Sequence, residues 1–299
     1  MTQFEFETAS VVQIDSLNQL LTAQEGYPHI HYVDMPYRLA SSWHEAGCEV
    51  GLWREKGQIV GWALFQPPWW NLDYAVARSY RGTALEEMLF EWGHQQMIQY
   101  ANRTGDEFWG SVEIFDDDPY FKETELVLES LGFKKFDWHM IRLELDLTNQ
   151  LTEVVLPDGF KLRPYNPTTD LQAYVELQRA AFDSDNMTTA WRTRMIEQPG
   201  YIPELDLIIV NQANEPVGFS VCWLSGEVGQ IEPLGVHPAT QGIGLGKALE
   251  YLSYQKMIQF GAKKLLIDHA SFNEKAVQLS LKTGFRQTHN ASRYYLEAP

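Results

Sequence analysis

Residues 231–247 read IEPLGVHPATQGIGLGK. An apolar strand ends at Val236, the chain leaves through His237-Pro238, a loop carries Gly242, Gly244 and Gly246, and an amphipathic helix follows at once. The first turn of a helix has backbone N–H groups without intrahelical partners, and the macrodipole adds partial positive charge there, so anions collect at such a place. Glycine at every second position removes the Cβ atoms that would hold a diphosphate away from those N–H groups, and it permits backbone angles closed to other residues. The Rossmann spacing G-x-G-x-x-G fails, because counting from Gly242 and Gly244 the third place falls on Lys247. The Walker spacing fails too, since Gln241 stands where its first glycine belongs and Ala248 where Ser or Thr belongs. The pattern that survives is [QR]-x-x-G-x-[GA], spelled Gln241-Gly242-Ile243-Gly244-Leu245-Gly246.

A second segment lies downstream: Asn273-Glu274-Lys275-Ala276 running to Leu279, then Lys282-Thr283-Gly284-Phe285. Together the two resemble the GNAT superfamily of acyl-CoA-dependent N-acyltransferases, whose pyrophosphate loop follows its fourth strand and whose later helix and strand start read N-x-x-A-x-x-L…G-F. The resemblance implies a mixed-sheet α/β (α+β) fold and acetyl-CoA as cosubstrate, with no metal. It also implies a strand that splays from its neighbour, so that Leu234, Gly235 and Val236 pair with the pantetheine arm while Gln241, Gly242, Ile243, Gly244, Leu245, Gly246 and Lys247 surround the diphosphate. Asn273 matches the family asparagine beside the cofactor arm; as a helix N-cap it also has a purely structural task. Lys247 either adds charge to that site or points to solvent.

The glycine loop has a faint copy. Val76 is followed five residues later by Arg81-Gly82, as Val236 is by Gln241-Gly242, and both loops open helices with apolar residues at the same offsets. These are Leu85, Met88, Leu89 and Trp92 in one and Leu245, Ala248, Leu249 and Leu252 in the other, the stripe of a helix packed on a sheet. Leu131-Gly132-Phe133 stands to the first helix as Thr283-Gly284-Phe285 stands to the second. The chain therefore reads as two GNAT folds in tandem, residues 1–147 and 160–299, joined by a linker at 148–159, an arrangement similar to that of mycothiol synthase-like proteins. Each half is expected to close with two short strands, at 133–136 and 138–145 in the first and at 285–288 and 293–296 in the second. Ala84 and Glu86 replace Gly244 and Gly246 in the first half, with Glu87 alongside. Carboxylates repel a diphosphate, so the first half is expected not to bind CoA productively, and to serve as a packing partner or as one wall of the acceptor site.

Composition sets the outer bounds. With 299 residues and 44% hydrophobic content the chain can fill two cores. A net charge of −17 without a basic stripe disfavours a nucleic-acid partner, and the excess carboxylates either aid solubility or steer cationic amines. Cys48 and Cys222 form no disulfide framework or metal motif. The opening MTQFEFETAS is unlike a signal peptide and no stretch has the length of a membrane span, so a cytoplasmic location and no membrane partner are expected.

Acyl transfer to an amine needs a base, because an amine is protonated at neutral pH. Glu232 is the candidate. Regular alternation places Glu232, Leu234 and Val236 on one face, and Pro233 removes a ladder donor between them. The N–H of Val236 is the candidate holder of the developing oxyanion. Where the family commonly has an acidic tyrosine beside the CoA sulphur, this chain has Ser280; Tyr294, Tyr295, His269 and His237 are the substitutes to weigh. Trp69 and Trp70, with Trp43, Trp53 and Trp62, are expected to be core. Acceptor-shaping loops are expected at 183–203 and in the first half. The functional reading is an N-acetyltransferase that moves an acetyl group from acetyl-CoA to a primary amine of a small molecule or peptide, with transfer to a hydroxyl or thiol sharing the same fold. The alternative is a non-enzymatic acyl-CoA sensor or structural module.

Overall fold

The computed structural model describes residues 4–10, 12–22, 30–43, 45–147 and 154–297. The first half runs β1 (Glu5–Ala9), α1 (Ile14–Thr22), α2 (Met35–Ala40), β2 (Val50–Glu55), β3 (Gln58–Gln66), β4 (Asn71–Val76), α3 (Ala84–Thr104), β5 (Phe108–Phe115), α4 (Phe121–Ser130) and β6 (Lys134–Asp146). The second half runs β7 (Lys161–Pro164), α5 (Leu171–Phe182), α6 (Thr189–Glu197), β8 (Asp206–Val210), β9 (Pro216–Ser225), β10 (Val228–Val236), α7 (Leu245–Gln259), β11 (Lys264–Ala270), α8 (Glu274–Lys282) and β12 (Arg286–Glu297). The order of strands and helices is the same in both, as the sequence repeat requires. Of the expected linker, residues 148–153 lie outside the described residues, and 154–159 form no helix or strand.

Local chemistry accounts for most boundaries. The β2–β3 hairpin turns at Lys56 and Gly57, both at positive φ (51° and 79°), as a two-residue hairpin loop demands. Helix α3 begins with the Thr83 side chain accepting the Leu85 N–H and ends on Gly105 in the left-handed region.

The strands form one twelve-stranded sheet in the order β1-β2-β3-β4-β5-β12-β6-β11-β10-β9-β8-β7. This corrects the expectation of two separately closed halves. Each half closes with one long strand rather than two short ones, and the two long strands are exchanged. β12 lies antiparallel to β5, with Tyr294 opposite Val112, and β6 lies antiparallel to β11, with Leu145 opposite Leu265. The side chains follow the strands. Tyr294 and Leu296 are buried in the first half's core with Leu128 and Phe133, while Leu143 and Leu145 join Tyr254, Met257 and Phe285 in the second. At ~1.5–3 kcal/mol for each fully buried large apolar side chain, these residues tie the halves together by several kcal/mol.

The faces of the second half's sheet are covered differently. Helices α7 and α8 pack on one face through Leu245, Leu249, Met257 and Val277. The other face carries α5 and α6, with Val33, Tyr37 and Ala40 of the first half in the same apolar cluster. Arg194 of α6 fixes this junction, donating to the carbonyls of Ala40 (2.9 Å) and Ser41 (3.1 Å) and pairing with Glu45 (2.6 Å). No helix among the described residues is long and apolar enough to cross a membrane.

Candidate active site

The glycine loop leaves β10 through His237, whose ring accepts the Ala239 N–H at 3.1 Å and shapes a short 3-10 turn at Pro238–Thr240. Gly242 (φ 83°) and Gly244 (φ 92°) are both left-handed, and a Cβ built on either meets no atom within 4 Å. Open space therefore lies in front of the backbone, and only glycine takes both angles without strain. Gly244 is the N-cap of α7 with no side chain capping it, so the first-turn amides of Leu245, Gly246 and Lys247 are left for an external acceptor. Gln241 donates through Nε2 to the Val236 carbonyl at 3.2 Å, and Ile243 is 52% exposed at the loop tip. Lys247 lies over the Tyr251 ring at 5.8 Å.

Beside this loop the sheet opens. β10 runs parallel to β11 only from Val228 to Gln230, opposite Lys264 to Leu266, while its other edge stays paired to β9 as far as Val236. The His237 N–H donates to the Val217 carbonyl at 2.9 Å, and ladder groups alternate in direction. The amides of Leu234 and Val236 therefore face away from β9 into the gap.

The pairing also corrects the expected alternation. Ile231 is opposite Cys222 and Leu234 is opposite Ser220, so two residues of β10 face one of β9. This bulge reverses the side-chain phase, as an inserted residue must. Leu234 and Val236 point to the α7 side, packing near Leu245 and Leu249, whereas Glu232 points to the α5–α6 side. The Trp223 indole N–H donates to the Glu232 carbonyl at 2.7 Å and holds the bulge in place.

Glu232 enters a cleft between the halves. One compartment, of about 310 Å³, has aromatic and apolar walls: Tyr37 and Trp69 from the first half, Phe182, Met187 and Trp191 from the second. Tyr37, Trp69 and Trp191 pack on one another with ring centroids 5.5–5.7 Å apart. Next to Trp191 in sequence, Arg192 is fully buried, bonds to Asp206 and lies over the rings of Tyr165 and Tyr174, 3.9 Å from each. The second compartment, of about 240 Å³, is polar, with Asp34, Arg38, Glu113, Gln230, Asp268 and Arg293 among its walls. Glu232, Tyr37 and Trp69 line both. Enclosure pushes the Glu232 carboxyl up to about 8, and the nearby carboxylates of Asp34 and Asp268 add to the shift while Arg38 opposes it. Asp34 is likewise raised, to about 6, chiefly by burial.

Sequence reasoning missed Asp34, Tyr37, Arg38 and Asp268, which carry no motif; Trp191 lies inside the segment expected to shape an acceptor site. Trp43, Trp53 and Trp62 are core as expected, but Trp69 is a cleft wall.

In the first half the equivalent loop is closed on itself. The Glu86 carboxylate accepts from the Gly82 N–H at 2.7 Å and from Arg81 Nε at 2.8 Å, and Arg81 also donates to Asp118 at 2.7 Å. All three side chains are buried. The chain's own carboxylate sits where the second half leaves its amides open.

Of the groups weighed for the leaving-group side, the structure brings two together: His269 Nε2 lies 2.8 Å from Ser280 Oγ, on the α8 side of the gap. The others are elsewhere. Tyr294 bonds to Glu125 of the first half at 2.5 Å, Tyr295 packs on Phe136, and His237 caps its own turn. Asn273 caps α8, accepting the Ala276 N–H at 3.3 Å. No group of three or more His, Cys, Asp or Glu among the described residues is arranged to hold a metal.

Residues 171–285 match the acetyltransferase (GNAT) family. Mycothiol acetyltransferase of Paenarthrobacter aurescens (strain TC1) is 32% identical over 150 residues, 46% of either chain, so this protein matches about half the length of that relative. Mycothiol acetyltransferase of Acidothermus cellulolyticus is 23% identical over 81% of this chain and 78% of its own. Among solved structures, a GCN5-related N-acetyltransferase from Sphaerobacter thermophilus superposes with a TM-score of 0.66 at 18% identity, covering 98% of this chain and 95% of its own. A tandem GNAT protein from the clavulanic acid biosynthesis pathway gives 0.65 at 16%, covering 99% of both.

Proposed function

Given that residues 171–285 belong to the acetyltransferase (GNAT) family and that the whole chain has the fold of two such domains in tandem, we propose that the protein is an N-acetyltransferase with its active centre in the second half. The observation that carries this reading is the run of open amides from Leu234 and Val236 to the first turn of α7, with Glu232 facing the cleft just upstream.

The residues fit acetyl-CoA. Amides at 242–247 suit a diphosphate, since a Cβ is absent where phosphate oxygens would approach. The Leu234 and Val236 edge suits the pantetheine arm, which carries amides of its own to complete a ladder. Acetyl-CoA supplies the acyl group as a thioester and leaves as the thiol.

Glu232 takes the proton that an acceptor ammonium must lose before its nitrogen can attack, directly or through water. A carboxyl at about 8 is a far stronger base than an ordinary one, although at neutral pH only roughly one molecule in ten holds it ionised. The Val236 N–H faces the gap and donates to the carbonyl oxygen as charge builds there. The acceptor reaches Glu232 from the cleft, on the sheet face opposite α7. The bulge makes this division, because regular alternation would have aimed the carboxylate into the α7 core. The relatives named as mycothiol acetyltransferases support a small-molecule acceptor.

The experiment is to follow free thiol while acetyl-CoA is incubated with a pooled panel of small amines, amino acids and peptides. Amine-dependent thiol release is expected. Thermal stabilisation by acetyl-CoA with no thiol release under any acceptor would instead make the protein a binding module.

A further inference from the structure

The walls of the cleft specify what fits it. In the polar compartment every arginine is already matched: Arg38 to Asp73 at 2.7 Å, Arg293 to Glu113 at 3.6 Å, and Arg142, behind Asp268, to that carboxylate at 2.7 Å. Asp34 and Glu232 are left with no ion-pair partner among the described residues; Asp34, 3% exposed, accepts the His31 N–H at 3.3 Å and a side-chain hydrogen bond from Gln230, but no cation among them neutralises it within ion-pair distance. The unpartnered side-chain oxygens in the walls ask for donors as well. Gln230 Oε1 in the polar compartment and Gln178 Oε1 in the aromatic one are buried without a hydrogen bond, on residues 4% and 5% exposed. A buried acceptor in that state lacks the hydrogen bond it would have in water, and a ligand that donates to it restores that bond. In the aromatic compartment the rings of Tyr37, Trp69 and Trp191 line the wall with π surface, which attracts cations and flat apolar groups alike, and the Arg38 guanidinium already lies 5.7 Å from the Trp69 ring.

Resting on the acyltransferase reading, we propose that the acceptor is a donor-rich organic cation: a primary amine with an aromatic arm on one side of the reacting nitrogen and a second ammonium or hydroxyl-bearing group on the other. The arm lies against Trp69 and Trp191, the reacting nitrogen sits at Glu232 where the compartments meet, and the second group donates to Asp34 and Gln230. A carboxylate on the acceptor is excluded, since it would lie against the buried Asp34 carboxylate with no arginine free of an ion pair to receive it. Both halves of the chain supply the site, so the first half acts in acceptor choice although its own anion loop is filled.

The test uses the full-length protein and four probes: N-benzyl-1,3-diaminopropane (arm and second cation), 2-phenylethylamine (arm only), 1,4-diaminobutane (second cation only) and phenylalanine (arm and carboxylate). Binding is measured by calorimetry with CoA present, and transfer by thiol release from acetyl-CoA. The first probe should bind best and phenylalanine at least ~10-fold more weakly than 2-phenylethylamine, because an unpaired charge is left buried. Asp34→Asn, and separately Gln230→Met, should bring the first probe's advantage over 2-phenylethylamine toward unity, while Trp191→Phe should weaken both without changing their ratio. Phenylalanine binding as tightly as 2-phenylethylamine, or an unchanged ratio in both polar-compartment variants, would overturn the proposal. The two readings separate cleanly. Ordered binding of the probes without thiol release keeps the ligand class and rejects acyl transfer, whereas thiol release with acidic acceptors does the reverse.

Discussion

Glu232 and Leu234 lie two positions apart on β10 and face opposite sides of the sheet, because an extra residue between Ile231 and Leu234 breaks the register with β9. The carboxylate is thereby placed in the cleft while the amide of Leu234 stays on the open edge beside β11. Base and cofactor site meet at one strand without competing for one face.

Glu232→Gln removes the base and keeps the shape. CoA affinity should hold within about twofold while turnover falls by ~10²–10⁴. In the unaltered protein kcat/KM should rise with pH and level off near the carboxyl's value of about 8. Loss of that ascending limb in the variant is the check, and identical pH profiles would reject the assignment.

The same carboxyl makes stability pH-dependent with a definite sign. Its folded value of about 8 lies above the ~4.3 of an unfolded glutamate, so between those limits the unfolded chain releases a proton that the folded chain keeps. Its contribution to stability is complete below the lower value and is lost as pH rises through the upper one. The slope is at most ~1.4 kcal/mol per pH unit, less for a half-buried group that water reaches. Glu232→Gln should therefore have a Tm close to the parent's at pH 4.5 and above it at pH 9, as scanning calorimetry would show.

Calorimetric titration should give one CoA per chain, not two. Gly244→Val should abolish binding, because a β-branched side chain tolerates φ 92° poorly and stands where the diphosphate belongs. Glu86→Ala should not create a second site of comparable affinity, and it should cost roughly 3 kcal/mol by leaving buried Arg81 half-paired.

Expressed separately, residues 1–147 and 160–299 should each fail to give a cooperative unfolding transition, while co-expression should restore a folded complex. Each piece alone lacks the strand that pairs with its β5 or β11 and exposes the apolar residues that strand covers. A sharp transition for either half would show that the exchange is dispensable.

The glycine loop and the internal repeat were legible in the sequence because each is a local pattern whose backbone geometry follows from residue type. The phase of Glu232 was not legible, since alternation assumes an unbroken ladder and the bulge depends on the partner strand. The strand exchange was hidden for the same reason: nothing within residues 134–146 or 286–297 says which neighbour they choose. Glu86, expected only to repel a diphosphate, instead accepts from the loop itself, and Arg81, at the position that Gln241 takes in the second half, is the clue to that buried pair. The cleft depends on the contacts of Trp191 with Tyr37 and Trp69, each more than a hundred residues before it, which no local pattern records.

A crystal structure of the protein with CoA tests the central claim most directly. The diphosphate should lie on the amides of residues 242–247, the pantetheine arm along Leu234 to Val236, and the sulphur beside the Val236 N–H at the floor of the Glu232 cleft. A diphosphate bound at residues 82–86, or a sulphur lying away from the gap between β10 and β11, would contradict it.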